Sequence, residues 1–189
     1  MIARRCCRLS LRAYLGADFV DRRTDTQVLL SHRNDGVYVS VRGTSSFRDV
    51  MMDMDFWGTP HKGGVVHSGF HACAVSVKDR VLRSVDHRDS VIVTGHSLGG
   101  AVSTLLALDI AEEFPDKKVR LVTFGSPRVG SPGFAKRFAS AVPDSDRYFM
   151  HFDVVTWLPG FMGFKHVGRP RRLPGFSHSL LKYLRAINR

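Results

Sequence analysis

The chain has 189 residues, 43% of them hydrophobic and 24% charged, with a formal net charge of +11. This length and composition predict a single domain over residues 1–189 and exclude a largely disordered chain. No apolar run approaches the roughly 18 residues of a membrane span. Arg12 and Asp18 interrupt the apolar stretch that a secretory signal would need.

Basic residues are concentrated at both ends of the chain. Residues 1–24 form a basic segment that we expect to be peripheral, and residues 169–189 are also rich in arginine and lysine. Such charge attracts nucleic acid or an anionic lipid face. No zinc-ligand spacing, aromatic RNA-binding motif or helix-turn-helix pattern supports nucleic acid. We therefore expect no nucleic-acid partner and favour peripheral contact with anionic lipid surfaces; the oligomeric state stays open.

The cysteines are few and oddly placed. Cys6, Cys7 and Cys73 are odd in number, and the first two are adjacent, which is a poor basis for disulfides. We expect reduced thiols and a location in the cytoplasm or at the periphery of membranes. The adjacent pair among arginines also leaves palmitoylation open.

The predicted elements alternate along the chain. A short helix over residues 9–17 precedes strands 26–31 and 37–41, which flank the hairpin turn Asn34-Asp35-Gly36. Periodicity then predicts helices over 69–85, 100–114 and 134–141, and strands over 91–94, 119–124, 148–152 and 164–167. This order predicts an α/β fold: a mostly parallel sheet with an N-terminal antiparallel hairpin and helices on both faces.

A short motif carries the chemistry. Residues 95–99 read Gly-His-Ser-Leu-Gly, between an apolar strand and a helix. G-x-S-x-G in that context is a nucleophile elbow, whose sharp turn needs glycine on both sides and projects the serine hydroxyl. We predict that Ser97 is the nucleophile and that the amide of Leu98 stabilises the oxyanion. The alternative is a glycine-rich turn without chemistry.

Six motifs in order resemble one family. Besides the elbow they are Val-Arg-Gly-Thr at 41–44, Val-His-Ser-Gly-Phe at 66–70, Thr-Phe-Gly-Ser-Pro-Arg-Val-Gly at 123–130, and the segments around the two triad partners below. Together they resemble the class 3, fungal-type triacylglycerol lipases of the α/β-hydrolase fold over residues 25–185. The resemblance implies a Ser-Asp-His triad and a second oxyanion donor at Thr44.

The acid of a triad follows the serine in this fold, and the histidine comes last. Asp153 follows a predicted strand, and its segment resembles the stretch of the family that carries the triad acid. Four other aspartates follow Ser97. Asp109 and Asp116 lie on or just after the helix that follows the elbow, and Asp144 and Asp146 lie in a polar turn that we expect to be solvated.

The base is chosen from three histidines. His178 comes after Asp153, before a terminal helix, in a His-Ser-Leu-x-x-Tyr segment that resembles the family's. His151 is expected inside a strand and His166 on an edge strand. We therefore predict His178 as the base. His67 and His96 are expected to be packing or supporting residues near the elbow.

A lid is predicted over residues 45–57. Phe47, Val50, Met51 and Met54 recur at i, i+3, i+4 and i+7, which indicates one apolar face of a helix. In the related lipases a lid stands at this place; the alternative is a helix packed permanently on the core. The family usually has tryptophan where Val50 stands, and the span to the next motif is compact, so the sequence departs from the family here.

These residues predict a serine hydrolase that cleaves carboxylic esters through an acyl-enzyme, with a triacylglycerol lipase or lipid esterase as the leading function. A phospholipase A1 or a short-chain esterase is the nearest alternative. A non-catalytic lipid- or protein-binding module on a hydrolase scaffold is the alternative from another class. The mechanism needs no cofactor, and no metal-ligand pattern is found.

Overall fold

The computed structural model describes residues 2–43, 58–160 and 163–188. The helices are α1 (Ile2–Arg12), α2 (Ser68–Val85), α3 (Leu98–Glu113), α4 (Pro132–Ala141) and α5 (Leu180–Ile187). The strands are β1 (Phe19–Asp21), β2 (Thr26–Arg33), β3 (Gly36–Val41), β4 (Gly58–His61), β5 (Gly64–His67), β6 (Ser90–His96), β7 (Lys118–Phe124), β8 (Ser145–Met150) and β9 (Arg169–Leu173).

Seven strands form one sheet in the order β1-β2-β3-β6-β7-β8-β9. β1, β2 and β3 pair antiparallel, and every pairing from β3 to β9 is parallel. β4 and β5 form a separate antiparallel hairpin. The predicted α/β architecture, mostly parallel with an antiparallel N-terminal hairpin, is confirmed.

The core has two layers because residues of a strand alternate between faces. Val37, Val39 and Val41 of β3 face one layer, which α2, α3 and α4 cover. Tyr38 faces the other layer, together with apolar residues of α1 and α5. Helices therefore cover both faces, as predicted, and the carboxyl end of β6 delivers the chain to the start of α3.

The first helix differs from its prediction. It spans Ile2–Arg12 and not residues 9–17, because Ala3, Cys6, Cys7 and Ser10 recur at helical spacing and pack inward. Both adjacent thiols are fully buried, and burial raises the pKa of each to about 12. Palmitoylation of this pair, which the sequence left open, is therefore incompatible with the folded chain.

The last strands also differ from their predictions. β8 ends at Met150, so His151 lies in a turn and not in a strand. The edge strand predicted over 164–167 is wrong, because Lys165 forms only an isolated bridge with Gly130 and the edge is β9.

Electrostatics explain the choice of this edge. Asp146 on β8 is buried, which contradicts its predicted solvation, and it pairs with Arg171 of β9 at 2.9 Å. Arg120 of β7 lies 2.9 Å from Oδ2 of this carboxylate, and Arg169 of β9 lies 3.3 Å from Oδ1, the oxygen that Arg171 contacts. A buried carboxylate needs such partners, and these arginines tie β7, β8 and β9 together. Their charges hold the pKa of Asp146 below its usual range, against desolvation.

Candidate active site

The elbow lies between β6 and α3. Ser97 alone separates the two elements and has φ 58° and ψ −130°, a conformation rarely adopted by residues other than glycine. A Cβ on Gly95 would overlap the carbonyl oxygen of Gly99, and one on Gly99 would overlap that of Val41. Glycine is therefore required on both sides of the serine, as the motif predicts.

Ser97, His178 and Asp153 form one hydrogen-bonded chain. His178 Nε2 lies 2.7 Å from Ser97 Oγ, and His178 Nδ1 lies 2.9 Å from each carboxylate oxygen of Asp153. A carboxylate only accepts, so Nδ1 carries the proton and Nε2 accepts from the serine hydroxyl. This arrangement can take a proton from Ser97 and stabilise the imidazolium that results.

The segment after β8 holds the carboxylate. Asp153 is buried, and its Oδ1 accepts from the amide of Val155 at 3.2 Å, which caps the short 3-10 helix Val154–Trp157. A Cβ on Gly125, which has φ +55°, would lie 2.9 Å from Asp153 Oδ2. The glycine of the Thr-Phe-Gly-Ser-Pro motif therefore leaves room for the acid and the base.

Tyr183 is a site residue that the sequence interpretation missed. Its hydroxyl donates to Asp153 Oδ2 at 2.7 Å and accepts from the amide of Met150 at 3.0 Å. Burial raises the pKa of Tyr183 far above its usual value, so the hydroxyl remains a donor. The signal was present in the tyrosine that ends the His-Ser-Leu-x-x-Tyr segment.

The competing carboxylates lie elsewhere. Asp109 of α3 is buried beside Lys62 at 3.2 Å and Lys78 at 3.7 Å. Asp144 pairs with Arg169 at 2.8 Å. None of these contacts involves Ser97, and the nearest charged partner of each carboxylate is a lysine or an arginine.

The remaining histidines have supporting contacts. His67 Nδ1 accepts from the amide of Gly69 at 3.2 Å at the start of α2, and burial lowers its pKa. His166 Nε2 donates to the carbonyl of Thr156 at 2.8 Å. His96 Nε2 donates to the carbonyl of His178 at 2.7 Å, so it supports the loop that carries the base.

Of the residues predicted for the oxyanion hole and the lid, the structure describes only Leu98. Leu98 is the first residue of α3, and the amide of a first helical residue has no acceptor within its own helix. Thr44, Phe47, Val50, Met51 and Met54 lie outside the described residues. In the described part of the chain, no cluster of histidine, cysteine and acidic side chains could hold a metal ion, and no helix could cross a membrane.

Two buried histidines make stability depend on pH. Burial lowers the pKa of His96 and of His166 to about 3, against about 6.5 for an unfolded histidine. Below pH 6.5 the unfolded chain binds protons that the folded chain does not, so the free energy of unfolding decreases as the pH is lowered. We expect the free energy of unfolding in urea to drop by about 3 kcal/mol from pH 7.5 to 5.5 through these two residues.

His166→Gln keeps a donor for Thr156 and is expected to remove about half of that loss. His87→Gln, at an exposed position, serves as the control and should leave the loss unchanged. An identical loss in wild type and His166→Gln would contradict the assignment.

Comparison with solved structures identifies the class of fold. The Rhizomucor miehei triacylglyceride lipase superimposes with a TM-score of 0.72 at 31% identity, covering 82% of this chain and 64% of that chain. A triacylglycerol lipase whose catalytic centre is described as a serine protease triad gives 0.73 at 30% identity, with the same two coverages. The sheet, its helices and the elbow are those of the α/β-hydrolase fold.

The sequence comparisons then identify the family. The family model for lipase (class 3) matches residues 38–162. A lipase of Rhizopus niveus is 35% identical over 158 residues, covering 77% of this chain and 40% of the relative. The chain belongs to the class 3 lipase family, which confirms the resemblance. It spans about two fifths of the length of the Rhizopus niveus and Rhizopus oryzae lipases that it matches.

Proposed function

We propose that this chain hydrolyses carboxylic esters of lipids through an acyl-enzyme on Ser97. The observation that carries the proposal is the 2.7 Å contact between Ser97 Oγ and His178 Nε2, continued to Asp153. His178 removes the hydroxyl proton as Ser97 attacks the ester carbonyl. It then protonates the leaving alcohol, and afterwards activates the water that releases the acid. Asp153 stabilises the imidazolium in both steps.

The oxyanion would rest on two amides. Leu98 supplies the first from the start of α3, and Thr44 the second. Support for Thr44 comes from its neighbour, because a Cβ on Gly43 would lie 3.3 Å from Ser97 Cβ. Thr44 therefore follows directly after a residue that lies close to the nucleophile. Losing one such donor costs about 3–4 kcal/mol in the transition state.

Exposed apolar side chains support a lipid substrate. Phe152 and Val154 flank the triad acid and are 67% and 66% exposed. Phe176 and Leu181 stand on either side of the base and are 76% and 58% exposed. The contact of Asp153 with His178 brings these two segments together, and clustered apolar surface at a site indicates an apolar ligand. The structurally similar proteins are named triacylglyceride and triacylglycerol lipases.

A serine-reactive phosphonate and an ester panel test the activity. We expect the phosphonate to label wild type at Ser97 and to spare Ser97→Ala, whereas Ser76→Ala, a serine on α2 that bonds Cys73 and Thr24, is labelled normally. Hydrolysis of p-nitrophenyl esters is expected to favour long acyl chains. No labelling of wild type would refute the enzyme proposal, and a preference for acetate would refute the lipid substrate.

We also propose that the chain works as a peripheral protein at anionic lipid surfaces. Helices α1 and α5 pack beside each other, with Cys7 Sγ 3.8 Å from the carbonyl of Leu180. Their exposed faces carry five cations, Arg4, Arg8, Arg12, Lys182 and Arg185. The net charge of the whole chain is +11. Positive charge on one face is attracted to anionic headgroups by about 1 kcal/mol for each residue at the surface.

Vesicle sedimentation tests this surface. We expect binding to vesicles with phosphatidylglycerol, weak binding to phosphatidylcholine alone, and loss of both in high salt. Replacing Arg4, Arg8 and Arg12 by glutamine should weaken binding about a hundredfold at low salt. The same change at exposed Arg22, Arg23 and Arg33, around β1 and β2, matches the lost charge. Equal weakening by both sets would contradict a surface on α1 and α5.

A further inference from the structure

His96, the residue before the nucleophile, uses both ring nitrogens. Its Nε2 lies 2.7 Å from the carbonyl oxygen of His178, and its Nδ1 lies 3.0 Å from the hydroxyl of Tyr14. A carbonyl only accepts hydrogen bonds, so Nε2 must carry a proton. The ring is buried, which lowers its pKa to about 3 and keeps it neutral. Nδ1 is therefore an acceptor, and the Tyr14 hydroxyl must donate to it.

Tyr14 stands just after α1 and reaches the site from a distant part of the chain. Besides donating to His96, its hydroxyl lies against Gly43, two residues after the end of β3. A Cβ on Gly43 would overlap this hydroxyl, and the guanidinium of Arg42 lies 5.7 Å from the centre of the Tyr14 ring. One hydroxyl thus touches the end of β3 and the elbow at the same time.

The loop of the base is held through the same contact. His178 must keep Nε2 at 2.7 Å from Ser97 while its ring gains and loses a proton. Its backbone is anchored by the bond from His96, and that bond exists in only one of the two neutral tautomers of His96. In the other tautomer the lone pair of Nε2 would face the lone pairs of the carbonyl oxygen.

We propose that Tyr14 is a positioning residue, which sets the tautomer of His96 and thereby holds the backbone of His178 against Ser97. The proposal rests on the proposed ester hydrolysis, since it assigns a role at the same triad. Tyr14 touches no reacting atom; it acts through His96. It also gives the N-terminal segment a part in the site, although α1 lies on the opposite side of the sheet from α3.

Tyr14→Phe removes the donor and keeps the ring. Two-bond ¹H–¹⁵N spectra of histidine-labelled protein distinguish a protonated from an unprotonated ring nitrogen. We expect wild-type His96 to be protonated at Nε2, and Tyr14→Phe to show protonation at Nδ1. In ester hydrolysis the variant is expected to lose about tenfold in kcat with KM unchanged, because a positioning defect acts on the chemical step.

Tyr38→Phe is the matched control. Its buried ring also faces the α1 layer, and its hydroxyl bonds Arg5 at 2.8 Å and Asp35 at 2.9 Å, away from the triad. We expect the His96 spectrum and kcat of this variant to equal those of wild type. An altered His96 spectrum in Tyr38→Phe would mean that packing of α1, and not the Tyr14 hydroxyl, controls the tautomer, which would overturn the proposal.

Two further results would overturn it. One is a Tyr14→Phe protein whose His96 stays protonated at Nε2 only; the other is a changed tautomer with unchanged kcat. If Tyr14→Phe does not fold, fluorotyrosine placed at position 14 makes the hydroxyl a stronger donor, and the Nδ1 resonance of His96 must then shift. The spectra do not depend on turnover, so an inactive wild type with the expected tautomer would count against ester hydrolysis and not against the Tyr14 contact.

Discussion

Replacement of Ser97 by alanine is expected to lower kcat for ester hydrolysis by about 10⁶-fold, the scale of losing the nucleophile of a serine-histidine pair. The residual rate would come from the oxyanion donors and from substrate binding, which do not need the hydroxyl. KM should change little, because the hydroxyl bonds His178 in the free protein. Initial rates with a long-chain p-nitrophenyl ester measure the effect.

Ser97→Gly separates this loss from a loss of structure. Ser97 holds a backbone conformation with φ 58° that costs a residue with a Cβ about 1–3 kcal/mol. Glycine removes that strain but has more conformational entropy to lose on folding. We expect the free energy of unfolding to rise by about 1 kcal/mol while activity is abolished. Appreciable activity in either variant would show that another residue is the nucleophile.

Asp153→Asn is expected to lower kcat by about 10⁴-fold with the fold retained. The amide fills the same volume, but its nitrogen cannot accept a hydrogen bond. Asp153 now accepts from His178, from Tyr183 and from the amide of Val155. If the amide nitrogen faces His178, the base is driven to the tautomer with its proton on Nε2, which cannot take the proton of Ser97.

A neighbouring carboxylate provides the control for this variant. Asp144→Asn changes the same group in the turn before β8, where the carboxylate pairs with Arg169 at an exposed position. We expect its kcat to equal that of wild type, since exposed pairs contribute little even to stability. Circular dichroism and urea unfolding should show that Asp153→Asn is folded. A loss of only a few fold in kcat would argue against Asp153 as the acid.

Local rules were sufficient for the elbow and for the antiparallel hairpin of the sheet. Gly95 is required by a contact with the backbone of Gly99 inside the motif, whereas Gly99 is required by the backbone of Val41 at the end of β3. Alternation in β3 and the Asn-Asp-Gly turn likewise act over a few residues. The chain order of serine, acid and base then left few candidates, and the structure brings Ser97, Asp153 and His178 together.

The same rules failed where burial depends on distant partners. Asp146 lies in a polar segment that looks solvated, yet three arginines from the two neighbouring strands β7 and β9 neutralise it inside the sheet edge. The edge strand was predicted in the wrong place for the same reason. The arginines of β9 give no strand pattern in the sequence, and their pairing with Asp146 exists only in the folded chain. In the first helix the buried positions begin at Ala3. In the sequence this segment resembles a basic tail, and it is recognised as a helix only because it packs against the core layer that α1 and α5 cover.

The motif around the nucleophile can therefore be recognised from neighbouring residues in the sequence. The residues that hold the triad in place cannot. A strand, a turn that needs glycine and a helix are short-range features, and they predicted Ser97 as the nucleophile. Chain order together with the resemblance to the lipase family predicted Asp153 as the acid and His178 as the base. Tyr183 meets Asp153 across 30 residues and Tyr14 meets His96 across 82. No periodicity or turn preference encodes such contacts, because they exist only once α1 and α5 pack side by side on one face of the sheet.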